Sequence, residues 1–414
     1  DLAVVALYRP GPMDNIPSYI RRKHGEETPD YLYPTLKPIL EETYGIIVYQ
    51  EQVMQIAQEL AGYSLGAADL LRRAMGKKIA EEMDKQRVIF SEGAEAKGVD
   101  PAKAAEIFDL VAKFANYGFN KSHAAAYAFV AYQTAYLKAN HATEFMAATM
   151  TLDMHNTDKL AAFRQELNRL KIEVRGPDVN RSEVDFSVEE GAVRYALAAI
   201  RNVGEQAMQS VVDARQAGGP FTSLEDFARR IDPKFLNKRL LENLVKAGAF
   251  DSINDNRAQV FDAIDGIVAL AQSTAADAAV GQNSLFGGAE SPGLTLAKRP
   301  DWTAMERLNQ EFEAIGFYLS AHPLDSYGPS LDRLKVVASA DLERHIRGGG
   351  SSTLKLAGTV VSRRDRRTKT GNKMSIVTLS DASGAFETTL FSEVLAQAGP
   401  LLDSGKPLLL TVDA

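Results

Sequence analysis

Two hydrophobic periods divide this chain of 414 residues. Between residues 45 and 152 apolar side chains recur three and four positions apart, as in Val53, Ile56, Ala57 and Leu60, or Ile107, Leu110, Val111 and Phe114. That spacing belongs to helices that bury one face. From Leu354 onward the pattern turns to short strands at 356–361, 374–379, 385–390 and 408–412. Turn residues separate them at Thr370-Gly371-Asn372 and Asp381-Ala382-Ser383-Gly384. Between the two regimes lies 271–293, mostly Ala, Ser, Gly, Asp and Gln, the composition of a flexible linker. One core cannot serve a chain of this length and this change of period. The expected fold is multidomain, mainly α-helical first and all-β at its end.

Local punctuation refines the helices. Pro10, Pro12, Pro17, Pro29, Pro34 and Pro38 exclude a long helix from residues 1–40. Helices are expected at 79–97, stopped by Gly98, and after Asp100-Pro101, an N-cap followed by proline at the first helical position. Others are expected from His123, at 157–170, at 256–270 and at 302–324. The helix from His123 carries Phe129, Tyr132 and Tyr136 on one side. Such a stripe can stack on bases, but it is assigned here to the core. A short hairpin over 184–195 turns at Glu190-Gly191.

Composition narrows the chemistry. With no cysteine there is no disulfide framework and no thiolate metal site, which fits a reducing cytoplasm. The six histidines are scattered without paired spacing, so no histidine metal site is expected. No apolar run reaches membrane-spanning length and no signal peptide opens the chain. The net charge of −7 hides clusters of positive charge at 21–23, 72–78 and 363–373, and local potential matters more to a polyanion than the sum.

Two basic segments stand out. Arg72 and Arg73 fall in the last turn of a helix that follows Ser64, with Gly76 as its stop and Lys77 and Lys78 beyond. In Tyr117-Gly118-Phe119-Asn120-Lys121-Ser122-His123, Ser122 can cap the helix that begins at His123. Guanidinium groups, ammonium groups and free helix N–H groups suit a phosphate. The plain alternative is a helix end whose cations suit the dipole, with Asp69 placed to pair with Arg72. Adjacent helical residues point about 100° apart, so Arg72 and Arg73 do not both reach one phosphate.

Further along, Ala199-Ile200-Arg201-Asn202-Val203-Gly204-Glu205 places a hydrophobic residue before glycine between two helices. It resembles a helix-hairpin-helix element, with Val203 and Gly204 at the DNA backbone. A weaker copy spans 236–250, with Lys238 and Arg239 as candidate contacts. The C-terminal strands resemble an OB-fold, in which Arg363, Arg364, Arg366 and Arg367 offer charge to a single strand. Phe386 and Phe391 either stack bases or fill the barrel.

From Ala6-Leu7-Tyr8-Arg9-Pro10-Gly11-Pro12 through Tyr49-Gln50-Glu51-Gln52 to Asn120-Lys121-Ser122-His123, the chain resembles the alpha-subunit family of bacterial DNA polymerase III. The resemblance covers nearly the whole chain. It implies a palm-to-fingers connection at 1–40, fingers at 41–180, a hairpin and tandem helix-hairpin-helix region at 181–270 and a linker at 271–300. A helical connector at 301–350 and a truncated OB-fold at 351–414 follow. Arg72, Arg73, Lys77, Lys121 and His123 are then contacts to an incoming deoxynucleoside triphosphate. Gln282, Leu285 and Phe286 resemble the peptide by which bacterial replication proteins grip a sliding clamp. The implied partners are primer-template and single-stranded DNA, the clamp and other replicase subunits, in the cytoplasm and without a membrane. The family's Mg²⁺ ions are held by palm carboxylates upstream of Asp1, so no catalytic acid is assigned and the chain alone is expected to be inactive, an internal fragment of a longer protein. A non-catalytic DNA-binding scaffold and an error-prone paralogue remain alternatives. The segment Gly316-Phe317-Tyr318-Leu319-Ser320-Ala321-His322-Pro323-Leu324 also matches the family, with no role derived.

Overall fold

A computed structural model describes the chain except residues 78–79, 116–117, 281–292, 348–352, 369–370 and 414, and leaves aside the side chains of 75–80, 115, 278–280 and 347. It divides into two compact units, Asp1–Asn140 and His141–Ala414.

The first unit is built around the helix Gln50–Ala61, whose Val53, Ile56, Ala57 and Leu60 are buried. The helices Leu65–Lys77, Ala80–Ala96 and Pro101–Ala115 pack around it through Leu71, Phe90, Ile107, Phe108 and Val111. The first of these runs one residue past the expected stop at Gly76. The proline-rich start makes only short helices, Leu2–Leu7 and Ile16–Lys23.

The helix Lys121–Asn140 corrects one expectation. Only Ala124 and Ala128 are buried in it, while Phe129, Tyr132 and Tyr136 are 63%, 56% and 52% exposed. Large apolar residues lie all round this helix, so their spacing selects no face. The alanine side allows the closest approach, and Ala124 packs with Ala3, Ala6 and Leu7.

In the second unit one core joins the helices Ala142–Leu152, Thr157–Arg169, Glu205–Gly218, Lys238–Lys246, Ile264–Val280 and Ala304–Ile315. Against them lies a small sheet. β1 (Val174–Arg175) is parallel to β3 (Ala192–Arg194), which pairs antiparallel with β2 (Ser187–Glu189). The linker expected over 271–300 is narrowed from both ends. Helix continues to Val280, with Ala271 buried, and Leu294 and Leu296 pack against the core. The helix expected over 302–324 stops at Ile315, because Gly316 takes φ 100° and a Cβ there would meet Arg201 Nη2 at 2.3 Å.

The chain ends in an antiparallel sheet of order β6-β5-β4-β7. Its strands are β4 (Thr353–Arg367), β5 (Lys373–Ser380), β6 (Ala385–Phe391) and β7 (Leu408–Asp413), with the helix Ser392–Leu402 before β7. The first part of β4 pairs with β7 and the rest with β5, across a register shift between Val360 and Ser362. Leu356, Val377, Leu379, Phe386 and Leu390 form the core, whereas Phe391 is 61% exposed. The helical region followed by a β domain is the expected architecture.

Candidate nucleic-acid interface

In the first unit two backbone hydrogen bonds set the site. Gln50 N–H donates to Phe119 O at 3.0 Å, and Phe119 N–H donates to Val48 O at 3.1 Å. The loop before the helix Lys121–Asn140 therefore runs beside the start of Gln50–Ala61. Gln52, 4% exposed, fixes that start. Its Oε1 accepts the N–H groups of Val48 (2.8 Å) and Tyr49 (3.0 Å), and its Nε2 donates to Ile39 O (3.1 Å) and Thr43 Oγ1 (2.8 Å).

Glu51, on the next position, changes the reading of the basic loop. Its carboxylate accepts Lys121 N–H at 2.9 and 3.0 Å and Asn120 Nδ2 at 3.0 Å. Asn120 Oδ1 accepts His123 N–H at 2.8 Å. The helix begins at Lys121 and its cap is Asn120, not Ser122, so these first N–H groups are engaged rather than free for an anion. The signal was present in the sequence, since asparagine is as good an N-cap as serine.

Arg72 and Arg73 share one carboxylate. Arg72 donates Nε and Nη2 to Asp69 Oδ1 at 2.9 and 2.7 Å, and Nη1 to Gln50 Oε1 at 3.3 Å. Arg73 Nη2 meets Asp69 Oδ2 at 2.8 Å, with its side chain 62% exposed against 29% for Arg72. The hydrogen bond from Arg72, with both guanidinium charges nearby, holds the Asp69 carboxyl below the ordinary carboxylate range. Arg72 is braced from two elements, while Arg73 has one exposed pair, a weak restraint. Gln50, Glu51, Met54, Asp69, Arg72 and Asn120 line a depression of about 250 Å³.

The remaining candidates adjoin it or fall outside. Lys121 Nζ pairs with Glu42 at 2.5 Å and lies 5.6 Å from the centre of the Tyr49 ring. The His123 ring lies tilted against Phe119 (5.5 Å between centres) and Tyr127 (4.7 Å). The side chain of Lys77 lies outside the described residues. Glu42, Glu51 and Asp69 are each engaged by a cation or an N–H group, so they do not fit a Mg²⁺ ion. Among the described residues no three His, Asp or Glu gather as a metal site.

The two glycine loops of the second unit differ. Gly204 caps the helix Glu205–Gly218 without a side-chain cap, and a Cβ there would meet nothing within 4 Å. Val203 is buried beneath it. At Gly248, with φ 82°, a Cβ would lie 2.1 Å from Arg257 Nη2. Arg257 in turn binds Asp251 at 2.7 Å and Lys246 O at 3.2 Å. The second loop is closed by its own arginine and only the first is open. Lys238 pairs with Asp265 at 3.0 Å, and Arg239 is exposed.

On β4 the four arginines fall on opposite faces, because side chains alternate along a strand. Arg363 pairs with Asp365 (2.9 Å) and Asp403 (3.2 Å), and Arg364 with Glu387 (2.5 Å). Arg366 and Arg367 are exposed. Gln282, Leu285 and Phe286 lie outside the described residues. Among the described residues no helix is long and apolar enough to cross a membrane.

The family model described as "Bacterial DNA polymerase III alpha subunit finger domain" matches residues 2–98, and that of the "Helix-hairpin-helix motif" matches 171–260. The DNA polymerase III subunit alpha of Caulobacter vibrioides is 51% identical over 413 residues, covering 100% of this chain and 36% of that protein. The subunit from Pasteurella multocida is 47% identical over 406 residues, 95% of this chain and 35% of its own length. That from Thermus aquaticus is 45% identical over 418 residues, 100% of this chain and 34% of its own length. The chain thus spans about a third of the curated relatives it matches. With identity of this order along nearly all its length, and a finger-domain match over the unit that holds Arg72 and Arg73, the chain belongs to the family of bacterial DNA polymerase III alpha subunits.

Proposed function

We propose that this chain is part of a DNA-directed DNA polymerase of the bacterial cytoplasm. Its first unit meets the incoming deoxynucleoside triphosphate, and its second unit meets DNA. The observation that carries this reading is the finger-domain match over 2–98, where Arg72 and Arg73 sit on one shared carboxylate. Arg73 is the cation that leaves Asp69 for a phosphate. Arg72 stays to hold Asp69 and Gln50, and Lys121 and His123 flank the triphosphate. In the second unit the open Val203-Gly204 loop takes a DNA phosphate, and the exposed Arg239, on the helix Lys238–Lys246, adds a cation. The β domain, read as an OB-fold, meets single-stranded DNA through Arg366 and Arg367. Nucleotidyl transfer uses Mg²⁺ bound by carboxylates elsewhere in the full-length polymerase, so this chain alone does not extend a primer. That every relative named above is a polymerase subunit favours this over a non-catalytic scaffold.

In the full-length polymerase, Arg73→Ala is expected to raise KM for the nucleotide about tenfold or more, because one charge-assisted phosphate contact is lost. Arg72→Ala is expected to act less on KM and more on the local fold. Steady-state primer extension, with circular dichroism as the fold check, decides the matter. Unchanged kinetics in a folded Arg73→Ala variant would mean that the pair with Asp69 is all the arginine does.

The segment Gln282-Asn283-Ser284-Leu285-Phe286 supports a contact with the ring-shaped sliding clamp. Two adjacent apolar anchors contribute roughly 1.5–3 kcal/mol each before ordering is subtracted. Leu285→Ala with Phe286→Ala is expected to abolish clamp binding in calorimetry and to leave affinity for primed DNA intact. Undiminished clamp binding by the double variant would place the attachment elsewhere.

A further inference from the structure

Three consecutive side chains open the helix Gln50–Ala61, and each is tied to a different stretch of chain. Adjacent helical residues point about 100° apart, which sends them in three directions. Gln52 holds the backbone of 48–49 and 39, and Gln50 Oε1 accepts Arg72 Nη1 at 3.3 Å. Glu51 reaches the loop before the helix Lys121–Asn140, 69 and 70 residues away. Both of its oxygens accept Lys121 N–H, at 3.0 and 2.9 Å, and Oε1 also accepts Asn120 Nδ2 at 3.0 Å. The orientation of the Asn120 amide follows from its other end. Oδ1 accepts His123 N–H at 2.8 Å, so Nδ2 faces away from the helix, and Glu51 supplies its acceptor. Lys121 is thus one hydrogen bond from Glu51, and His123 is two. A Cβ on Gly118 would lie 3.1 Å from Gln50 Cγ, which leaves little room for a side chain where the loop passes this helix.

We infer that Glu51 is a positioning residue for nucleotide binding, which sets Lys121 and His123 in place without touching the triphosphate itself. The inference rests on the reading of those two residues as triphosphate contacts. A carboxylate suits the task. It stands in the first turn of its own helix and at the first N–H groups of Lys121–Asn140, so two positive helix ends offset its charge. Glutamine would put an amide N–H2 where an oxygen now accepts, donor against donor at Lys121 N–H or Asn120 Nδ2. Turning the Asn120 amide over to relieve this would give up the cap on His123 N–H. The Lys121 ammonium adds little of its own, since its pair with Glu42 is exposed, at 41% and 52%, and such a pair is a weak restraint. The backbone tie at Glu51 is what places the lysine.

The test is the nucleotide KM in primer extension by the full-length polymerase, with circular dichroism as the fold check. Glu51→Ala is expected to raise KM about tenfold with kcat within about twofold of the parent, and Glu51→Gln to raise it about threefold. Two double variants separate positioning from a general loss of fold. Lys121→Ala is expected to raise KM about fivefold alone, but less than about twofold further in the Glu51→Ala background, because the lysine is already displaced. Arg73→Ala, whose partner is Asp69, is expected to multiply in full with Glu51→Ala, to about a hundredfold together. Parent KM in both Glu51 variants, with KM raised by Lys121→Ala, overturns the inference and leaves the contacts standing. So does full multiplication of Glu51→Ala with Lys121→Ala, since the two would then act apart. A KM lowered by Glu51→Gln overturns it too, because the carboxylate would then be repelling the phosphates. Parent KM in Lys121→Ala removes the triphosphate contact at Lys121, and the inference falls with it.

Discussion

Gln52→Ala is expected to destabilise the Asp1–Asn140 unit by on the order of 3–5 kcal/mol. The loss comes from polar groups stranded where water does not reach. The amide serves Val48 N–H, Tyr49 N–H, Ile39 O and Thr43 Oγ1 together, and Tyr49 is 1% exposed. Alanine leaves two donors and a carbonyl without a partner. Thr43 keeps its own bond to Ile46 O at 2.6 Å, so the damage falls on the backbone of 48–49 and 39. Amide hydrogen exchange across 46–50 reads this directly, since these residues also carry the contact to Phe119. Protection there within about threefold of the parent would show that water replaces the amide, and would remove Gln52 as the organiser of the site.

Gly93→Ala and Gly66→Ala are expected to move stability in opposite directions. Both glycines lie inside helices, Ala80–Ala96 and Leu65–Lys77, where alanine is favoured by about 1 kcal/mol on propensity alone. At Gly66 a Cβ would meet nothing within 4 Å, so the gain is kept. At Gly93 it would lie 2.2 Å from Ala61 O and 3.0 Å from Ala61 C, which are backbone atoms that cannot rotate away. The helices Ala80–Ala96 and Gln50–Ala61 must part, and overpacking of this kind costs on the order of 3 kcal/mol. Thermal unfolding of the two variants against the parent checks both signs. A Gly93→Ala variant as stable as the parent would mean that the two helices can slide without loss.

Much of the architecture was legible because its signals are local. Helix spacing, Asp100-Pro101 at a helix start and strand alternation from Leu354 each concern residues within a few positions of one another. Arg72 with Asp69 was readable for the same reason. Neither Glu51 on Lys121 nor His322 on Ser380 was, since the partners are 70 and 58 residues apart. Phe129, Tyr132 and Tyr136 misled because hydrophobicity alone does not say which surface a neighbour covers. The kind and order of elements, and the cations available for phosphate, follow from local patterning. Which of those cations, helix ends and glycine loops are already engaged emerges only on folding. That depends on acids and backbone groups brought from distant parts of the chain, as when Glu51 fills the helix end at Lys121 and Arg257 closes the loop at Gly248 while Gly204 stays open.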